Sequence, residues 1–317
     1  MGKLIDTRVT PVSGVLDWLL RDKTMKRNIL WATADYAGYG PGYEDTAPIT
    51  RAGLWALPED ALTPRTFKGM AQRQKRTRAK AEVSTPAWVC NRMNNHLDER
   101  WFGRGDLFNA ASGQSWTPTA DPVPFPGRGS RRWQRYVDSR RLEITCGEAP
   151  FIVSRYDAAT GEVIPIPRRV GLLDRKLRVV DENTCTEGEW GKWALRAVQS
   201  VYGYEWQGDS LLIARINVLM TVVEYHEARW HRPPCDALMK RLANVIAWNF
   251  FQMDGLKGTV PLGKPGAEAR QVDLTDLLDA KDGILHALAP GRQTPPCRVF
   301  DWRAKRSMTF AEVGRQG

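Results

Sequence analysis

The chain has 317 residues, 26% of them charged, and a formal net charge of +10 from 46 lysines and arginines against 36 aspartates and glutamates. That length can bury a full core. A mean hydropathy of -0.44, and a longest apolar stretch at 211–223 that is interrupted by Arg215 and Asn217, exclude a membrane span, while a pI near 9.5 points to a polyanionic partner.

Residues 1–80 read as an N-terminal helical extension, with an amphipathic helix near 15–20 and a Gly/Tyr-rich turn over 36–43. Met1-Gly2-Lys3 is followed by Asp6, Arg8 and Asp17 rather than an apolar run, so no secretory signal is expected. Asp6 also stands where a myristoylation signal needs Ser or Thr. Arg65, Lys68, Arg73, Lys75, Arg76, Arg78 and Lys80 then follow with no acid among them. Such a run is either a phosphate-contacting arm, with Arg73, Lys75, Arg76 and Arg78 as its contacts, or a solvated helix face.

Residues 81–317 read as one α/β domain. Ser84-Thr85-Pro86 is a helix start signal, and Trp88, Val89, Met93 and Leu97 follow at helical spacing. A Gly-, Ser- and Pro-rich stretch over 104–130 predicts a long loop. Arg128, Arg131, Arg132 and Arg135 stand among Gly127, Gly129, Trp133 and Tyr136. This second basic patch could grip phosphate and stack on a base, or be a surface loop packed by Trp133.

Leu142-Glu143-Ile144-Thr145-Cys146-Gly147 predicts a strand that runs into an acid and a tight turn, with a helix beyond. Glu148 and Arg155 read as an exposed charge pair or as a lining of the turn, and Asp157 as a helix end or N-cap. Leu177-Arg178-Val179-Val180 is an edge strand or a helix end. Val201-Tyr202-Gly203-Tyr204-Glu205-Trp206-Gln207-Gly208-Asp209 predicts a second short strand ending in an acid, followed by a helix over 210–230. The apolar run at 244–253 precedes a third acid, Asp254, with Leu256 beyond it. Short helices are expected near 274–278 and 284–288, and a last strand at Arg298-Val299-Phe300. Alternating strands and helices of this kind build a mainly parallel sheet.

A nucleoside-bearing cofactor over such a sheet needs a carboxylate for its ribose, a polar group for its adenine amine, and a small residue where the backbone approaches it. Glu205, Asp254 and Gly147 suit these three tasks. In their order, Thr85-Pro86, Glu143 with Cys146-Gly147, Gly203 with Glu205, and Asp254 with Leu256 resemble the amino-methylating DNA methyltransferases of restriction-modification systems, most closely the adenine-specific M subunits. The resemblance spans residues 80–260. It implies a Rossmann-like class I methyltransferase fold and S-adenosylmethionine (S-adenosyl-L-methionine) as cofactor, surrounded by Thr85, Pro86, Glu143, Cys146, Gly147, Gly203, Glu205 and Asp254. It further implies DNA as substrate and a nuclease or specificity subunit as partner.

The sequence departs from that family at the Asn/Asp-Pro-Pro-aromatic element that holds a flipped base. Asp301 with Trp302 offers an acceptor and a ring near the place where that element belongs, or is an ordinary strand end with a core tryptophan. The chain is therefore expected to be an adenine-amino DNA methyltransferase, or a catalytically inactive DNA-binding or partner subunit on the same fold. Action on RNA, or a base modification other than methylation, is a third reading. Five cysteines without a C-x-x-C pair, and four scattered histidines, predict a reducing, cytoplasmic setting and no metal site.

Overall fold

A computed structural model describes residues 4–69, 84–125, 132–261 and 294–313. In chain order its elements are α1 (Val12–Leu20), β1 (Arg21–Asp22), β2 (Arg27–Asn28), α2 (Arg51–Ala56), α3 (Ala87–Phe102), β3 (Asn109–Ser112), β4 (Ser115–Pro118) and α4 (Arg132–Val137). Then follow β5 (Arg141–Glu143), α5 (Leu172–Asn183), α6 (Glu187–Gln199), β6 (Val201–Glu205), α7 (Gly208–Trp230), α8 (Asp236–Asn249), β7 (Phe250–Gln252), β8 (Arg298–Asp301), β9 (Arg306–Thr309) and α9 (Phe310–Val313).

The centre is a three-stranded parallel sheet in the order β5-β6-β7. Parallel neighbours need long crossovers, and α5 with α6 joins β5 to β6 as α7 with α8 joins β6 to β7. Glu143 lies opposite Gly203, Gly203 opposite Phe250, and Glu205 opposite Gln252. Side chains alternate across a strand, so these residues share one face, while Leu142, Tyr202, Tyr204 and Phe251 share the other. On that second face the β8–β9 hairpin and Phe310 cover Tyr204, Phe251 and Met253, and Tyr202 donates to the Phe300 carbonyl.

Helix α7 is apolar nearly all round, and it is buried nearly all round, as that composition requires. Its buried Arg215 donates to the carbonyls of Phe250, Ala247, Leu19 and Arg21. Burial lowers this guanidinium to about 10.

The N-terminal residues are built into the domain rather than appended to it. One hydrophobic cluster runs from Ile5 through Leu16, Leu19 and Trp31 to Leu219 and Phe250. Leu30 exchanges two 2.9 Å hydrogen bonds with the Gln252 amide side chain, and the Gly208 amide donates to the Trp31 carbonyl. A Cβ at Gly208 would stand 1.8 Å from the Leu30 carbonyl oxygen, so only glycine permits this approach. Farther on, the Arg298 amide donates to Thr24 Oγ1.

Several local expectations change. The loop expected over 104–130 contains the antiparallel β3–β4 hairpin. No helix follows the Cys146-Gly147 turn at once; the chain passes through turns, a short bridge and a 3-10 turn at Ile166–Arg168 before α5. Residues 177–180 lie within a helix, α5, which is one of the two alternatives, and 244–249 belong to α8, leaving only Phe250–Gln252 as strand. The short helices expected at 274–278 and 284–288 lie outside the described residues.

Candidate functional site

Three acids stand at the carboxyl ends of the three parallel strands: Glu143 on β5, Glu205 on β6 and Asp254 just past β7. This edge is where open parallel sheets bind ligands. Between the first two acids, the turn 145–149 folds back over the strand ends. The Cys146 amide extends the ladder to the Tyr204 carbonyl at 2.8 Å, and the Ala149 amide closes the turn on the Cys146 carbonyl at 2.7 Å. Thr145, Gly147 and Ala149 all take positive φ, at 45°, 52° and 66°. Two of the three carry a Cβ, so the turn stores backbone strain of the kind that collects at functional sites.

Glu205 holds the turn in place. Its carboxylate accepts from the Gly147 amide at 2.9 Å and from the Trp206 and Gln207 amides at 2.9 and 3.1 Å. A Cβ on Gly147 would meet no atom within 4 Å, so the surface above the turn is open. Gly203 has a different role: a Cβ there would press on Cys146 Sγ and the Phe250 ring, both at 3.0 Å, so its smallness serves packing beneath the turn.

Glu143 is the unusual member of the set. It is only 9% exposed; its Oε1 accepts a long 3.4 Å bond from the Phe151 amide, and its buried Oε2 has no partner among the described residues. Burial pushes the carboxyl well above the usual range, the Phe151 and Ile152 amides oppose that rise, and the nearby Glu205 charge adds to it. Burial likewise pushes up the Cys146 thiol, with Glu143 and Glu205 adding to the effect.

The Thr85-Pro86 segment reaches the same region. Pro86 precedes α3, whose first amide, on Ala87, donates to Asp157 Oδ2 at 2.8 Å. Cys90, one turn along, is fully buried, and its thiol is raised first by burial and then by the charges of Glu143 and Asp157. Asp157 thus caps α3 and, through Oδ1, its own following turn at Ala159 and Thr160. Asp254 bonds the Leu256 and Lys257 amides through Oδ1 at 2.9 and 3.1 Å. Two large apolar side chains are exposed beside these acids, Trp206 at 42% and Leu256 at 91%.

Other expected residues are placed elsewhere. Asp301 and Trp302 end β8 and start its hairpin turn, where Asp301 Oδ1 accepts the Arg303 and Ala304 amides. Trp302 Nε1 donates to Asn249 Oδ1 at 2.7 Å, and Asp301 pairs with Arg140, the residue before β5. Both contacts lie at the amino end of the parallel sheet. The pair is therefore not brought to the acids and turn at the opposite end, and its polar atoms serve the hairpin turn and its contacts with Asn249 and Arg140. Glu148 and Arg155 are not an exposed pair either: Glu148 accepts from the Arg65 amide and the Tyr156 hydroxyl, both at 2.6 Å, while buried Arg155 pairs with Glu224. Arg73, Lys75, Arg76, Arg78 and Arg131, and the side chain of Arg132, lie outside the described residues.

The root of the basic run is anchored beside this edge by contacts that the sequence did not signal. Arg65 and Lys68 are buried rather than solvated. Lys68 Nζ reaches Asp209 Oδ2 at 3.1 Å in the first turn of α7, and Tyr36 donates to the same oxygen. No periodicity signals this contact, because it joins residues 141 positions apart. Among the described residues, no three His, Cys, Asp or Glu side chains gather as a metal site, and no helix is long and apolar enough to cross a membrane.

Compared with protein-family models, with curated proteins and with solved structures, the chain matches none.

Proposed function

We propose that the carboxyl edge of the sheet binds S-adenosylmethionine in a Rossmann-like class I methyltransferase arrangement, and that the chain is the cofactor-binding part of an adenine-amino DNA methyltransferase of restriction-modification type. The observation that carries this reading is the clamp between Glu205 and the strained turn, through the Gly147 amide at 2.9 Å. It places an acid and an open backbone surface at adjacent strand ends, where a nucleoside cofactor needs both.

The residues present fit the group. Glu205 would add the ribose hydroxyls to the amides it already accepts, and Asp254 would accept from the adenine amine. Trp206 offers an exposed ring beside Glu205 for the adenine face. The Glu205 carboxylate beside the turn suits a cationic sulfonium. When bound, the cofactor supplies the transferable methyl group; the chain's own residues contribute position and electrostatics. The basic run that includes Arg73, Lys75, Arg76 and Arg78 follows in sequence from Lys68, which lies beside this edge, and is assigned to DNA phosphates.

Asp301 and Trp302, built into a hairpin at the other end of the sheet, favour the alternative that this chain does not itself hold the target base and acts as a DNA-binding or partner subunit. Calorimetric titration with S-adenosylmethionine tests the first part. Glu205→Ala and Asp254→Ala should each weaken binding about tenfold to a hundredfold, the loss of one charged acceptor at roughly 1.5 to 3 kcal/mol. No heat, and no protection against thermal unfolding at millimolar cofactor, would refute it. Tritiated methyl transfer to duplex DNA by the isolated chain separates the active enzyme from the subunit.

A further inference from the structure

Four aromatic side chains that the carboxyl-edge site does not use line up across α1, α8 and the β8–β9 hairpin. Lys23 Nζ, in the β1–β2 turn, stands 5.5 Å from the centre of the Trp18 ring and donates to Asn244 Oδ1 of α8 at 2.8 Å. Trp248 follows Asn244 by one helical turn. Its ring lies 5.3 Å from that of Phe300, which lies 4.5 Å from that of Trp302. The Arg298 amide donates to Thr24 Oγ1, beside Lys23, and Arg298 shares the Phe300 face of β8. Trp18 is 42% exposed, and Trp248, Phe300 and Trp302 are half-buried. The rings and the contacts between them thus form one track.

Its charge is one-sided. Lys240 and Arg241, both exposed, precede Asn244 by one turn on the same stripe of α8, Lys26 stands in the β1–β2 turn, and Lys305 in the β8–β9 turn. Among the described residues, none of Lys23, Lys26, Lys240, Arg241, Arg298 and Lys305 has a carboxylate in ion-pair range. The acids nearby are committed elsewhere. Asp17 pairs with Arg51, Asp138 with Arg196 and Arg303, and Asp301 with Arg140. Asp22 is buried and accepts the Thr24 amide, and Glu312 accepts the Thr309 amide and hydroxyl. Burial, and then the charges of Arg215 and Arg21, hold the Lys23 ammonium below its ordinary range. Positive potential is therefore concentrated at the middle of the track, where an anion would relieve it.

We propose that this track binds a single-stranded nucleic acid, with bases on Trp18, Trp248 and Phe300 and phosphates on Lys23, Lys240, Arg241 and Arg298. Trp302, tied to Asn249, backs Phe300. Rings interleaved with cations suit unpaired nucleotides, because every base has a face to stack and every linkage a charge to pair. A duplex keeps its base faces inside its own stack and offers the rings nothing. The track is separate from the basic run that follows Lys68, and the proposal does not depend on the methyltransferase reading.

Fluorescence anisotropy of a labelled oligothymidylate of about 12 nucleotides, titrated with the full chain, tests it. An abasic deoxyribose-phosphate oligomer of the same length should bind at least about tenfold more weakly, since it keeps the charge and lacks the bases. Trp18→Ala and Trp248→Ala should each weaken the single strand about tenfold and leave duplex affinity within about twofold. Trp18 lies on the exposed face of α1, so its variant keeps the test open if Trp248→Ala fails to fold. Lys240→Gln with Arg241→Gln should flatten the log–log salt dependence by about one to one and a half units. Oligouridylate should bind within about fivefold of oligothymidylate, because neither kind of contact reads the sugar. Equal affinity for abasic and base-bearing strands overturns the proposal. So does single-strand affinity that Trp18→Ala and the double glutamine variant both leave unchanged, or a preference for duplex over single strand.

Discussion

Glu143 imposes a pH dependence on stability that can be measured without any ligand. Its carboxyl is buried, holds one long bond to the Phe151 amide, and has an oxygen with no partner among the described residues. Burial therefore raises its folded-state pKa, with Glu205 adding to the rise. The folded protein retains a proton that the unfolded chain releases above the ordinary glutamate value of about 4.3. This contribution is complete below that value and is lost as pH rises through the folded-state value. Between the two, the slope reaches about 1.4 kcal/mol per pH unit, so two units change stability by up to about 3 kcal/mol against a typical total of 5 to 15. Glu143→Gln keeps the side chain's size and removes the titration. Urea unfolding from about pH 5 to about pH 8 at fixed ionic strength should show wild type losing stability relative to the variant as pH rises. Parallel curves would refute the burial argument. A gap that moves the other way would mean that the folded protein holds Glu143 ionised.

Gly208→Ala should prevent folding or destabilise it by more than about 3 kcal/mol, since the new methyl meets a backbone carbonyl at 1.8 Å; circular dichroism of the purified variant decides it. Trp302→Ala should cost about 2 to 3 kcal/mol by urea unfolding, through lost packing and the stranded Asn249 oxygen, while cofactor affinity stays within about threefold. A large loss of affinity would place Trp302 in the site after all. Replacing Arg73, Lys75 and Arg76 together should flatten the log–log dependence of DNA affinity on salt by about two to three units. An unchanged slope would leave the run as a solvated surface.

What the sequence made legible was local. The acid at the end of a short apolar run marked β5 and the start of β6, although the strand read to Asp209 stops at Glu205, and the Ser-Thr-Pro signal marked α3, because strand and helix periods and caps are written in neighbouring residues. Other features depend on distant partners. Arg65 and Lys68 read as the start of a phosphate-contacting arm or a solvated face, yet Glu148 and Asp209, from remote parts of the chain, draw them inward. The helix expected after Cys146-Gly147 gives way to turns because Glu148, Tyr156 and Asp157 are committed to Arg65, Asn217 and Ala87. Leu177-Arg178-Val179-Val180 has a strand-like composition, but α5 buries it against α6 and α7, and tertiary packing overrides its weak β preference. Asp301 beside Trp302 shows that residue types alone do not fix place: the pair sits at the end of the sheet opposite the three acids.

The stapling of the N-terminal segment onto the last strands sets an order of assembly during synthesis. Leu30 meets Gln252 across 222 residues, and Thr24 meets Arg298 across 274. Helix α1 presents Val12, Val15, Leu16 and Leu19 to partners that complete only at Asn249. At about 5 to 20 residues per second, that apolar stripe leaves the ribosome roughly 10 to 50 seconds before its partners exist. Contacts of such sequence separation form slowly even once the chain is complete. The nascent protein is thus a natural client for chaperones that shield apolar helices, and fragments truncated before residue 250 should aggregate rather than fold.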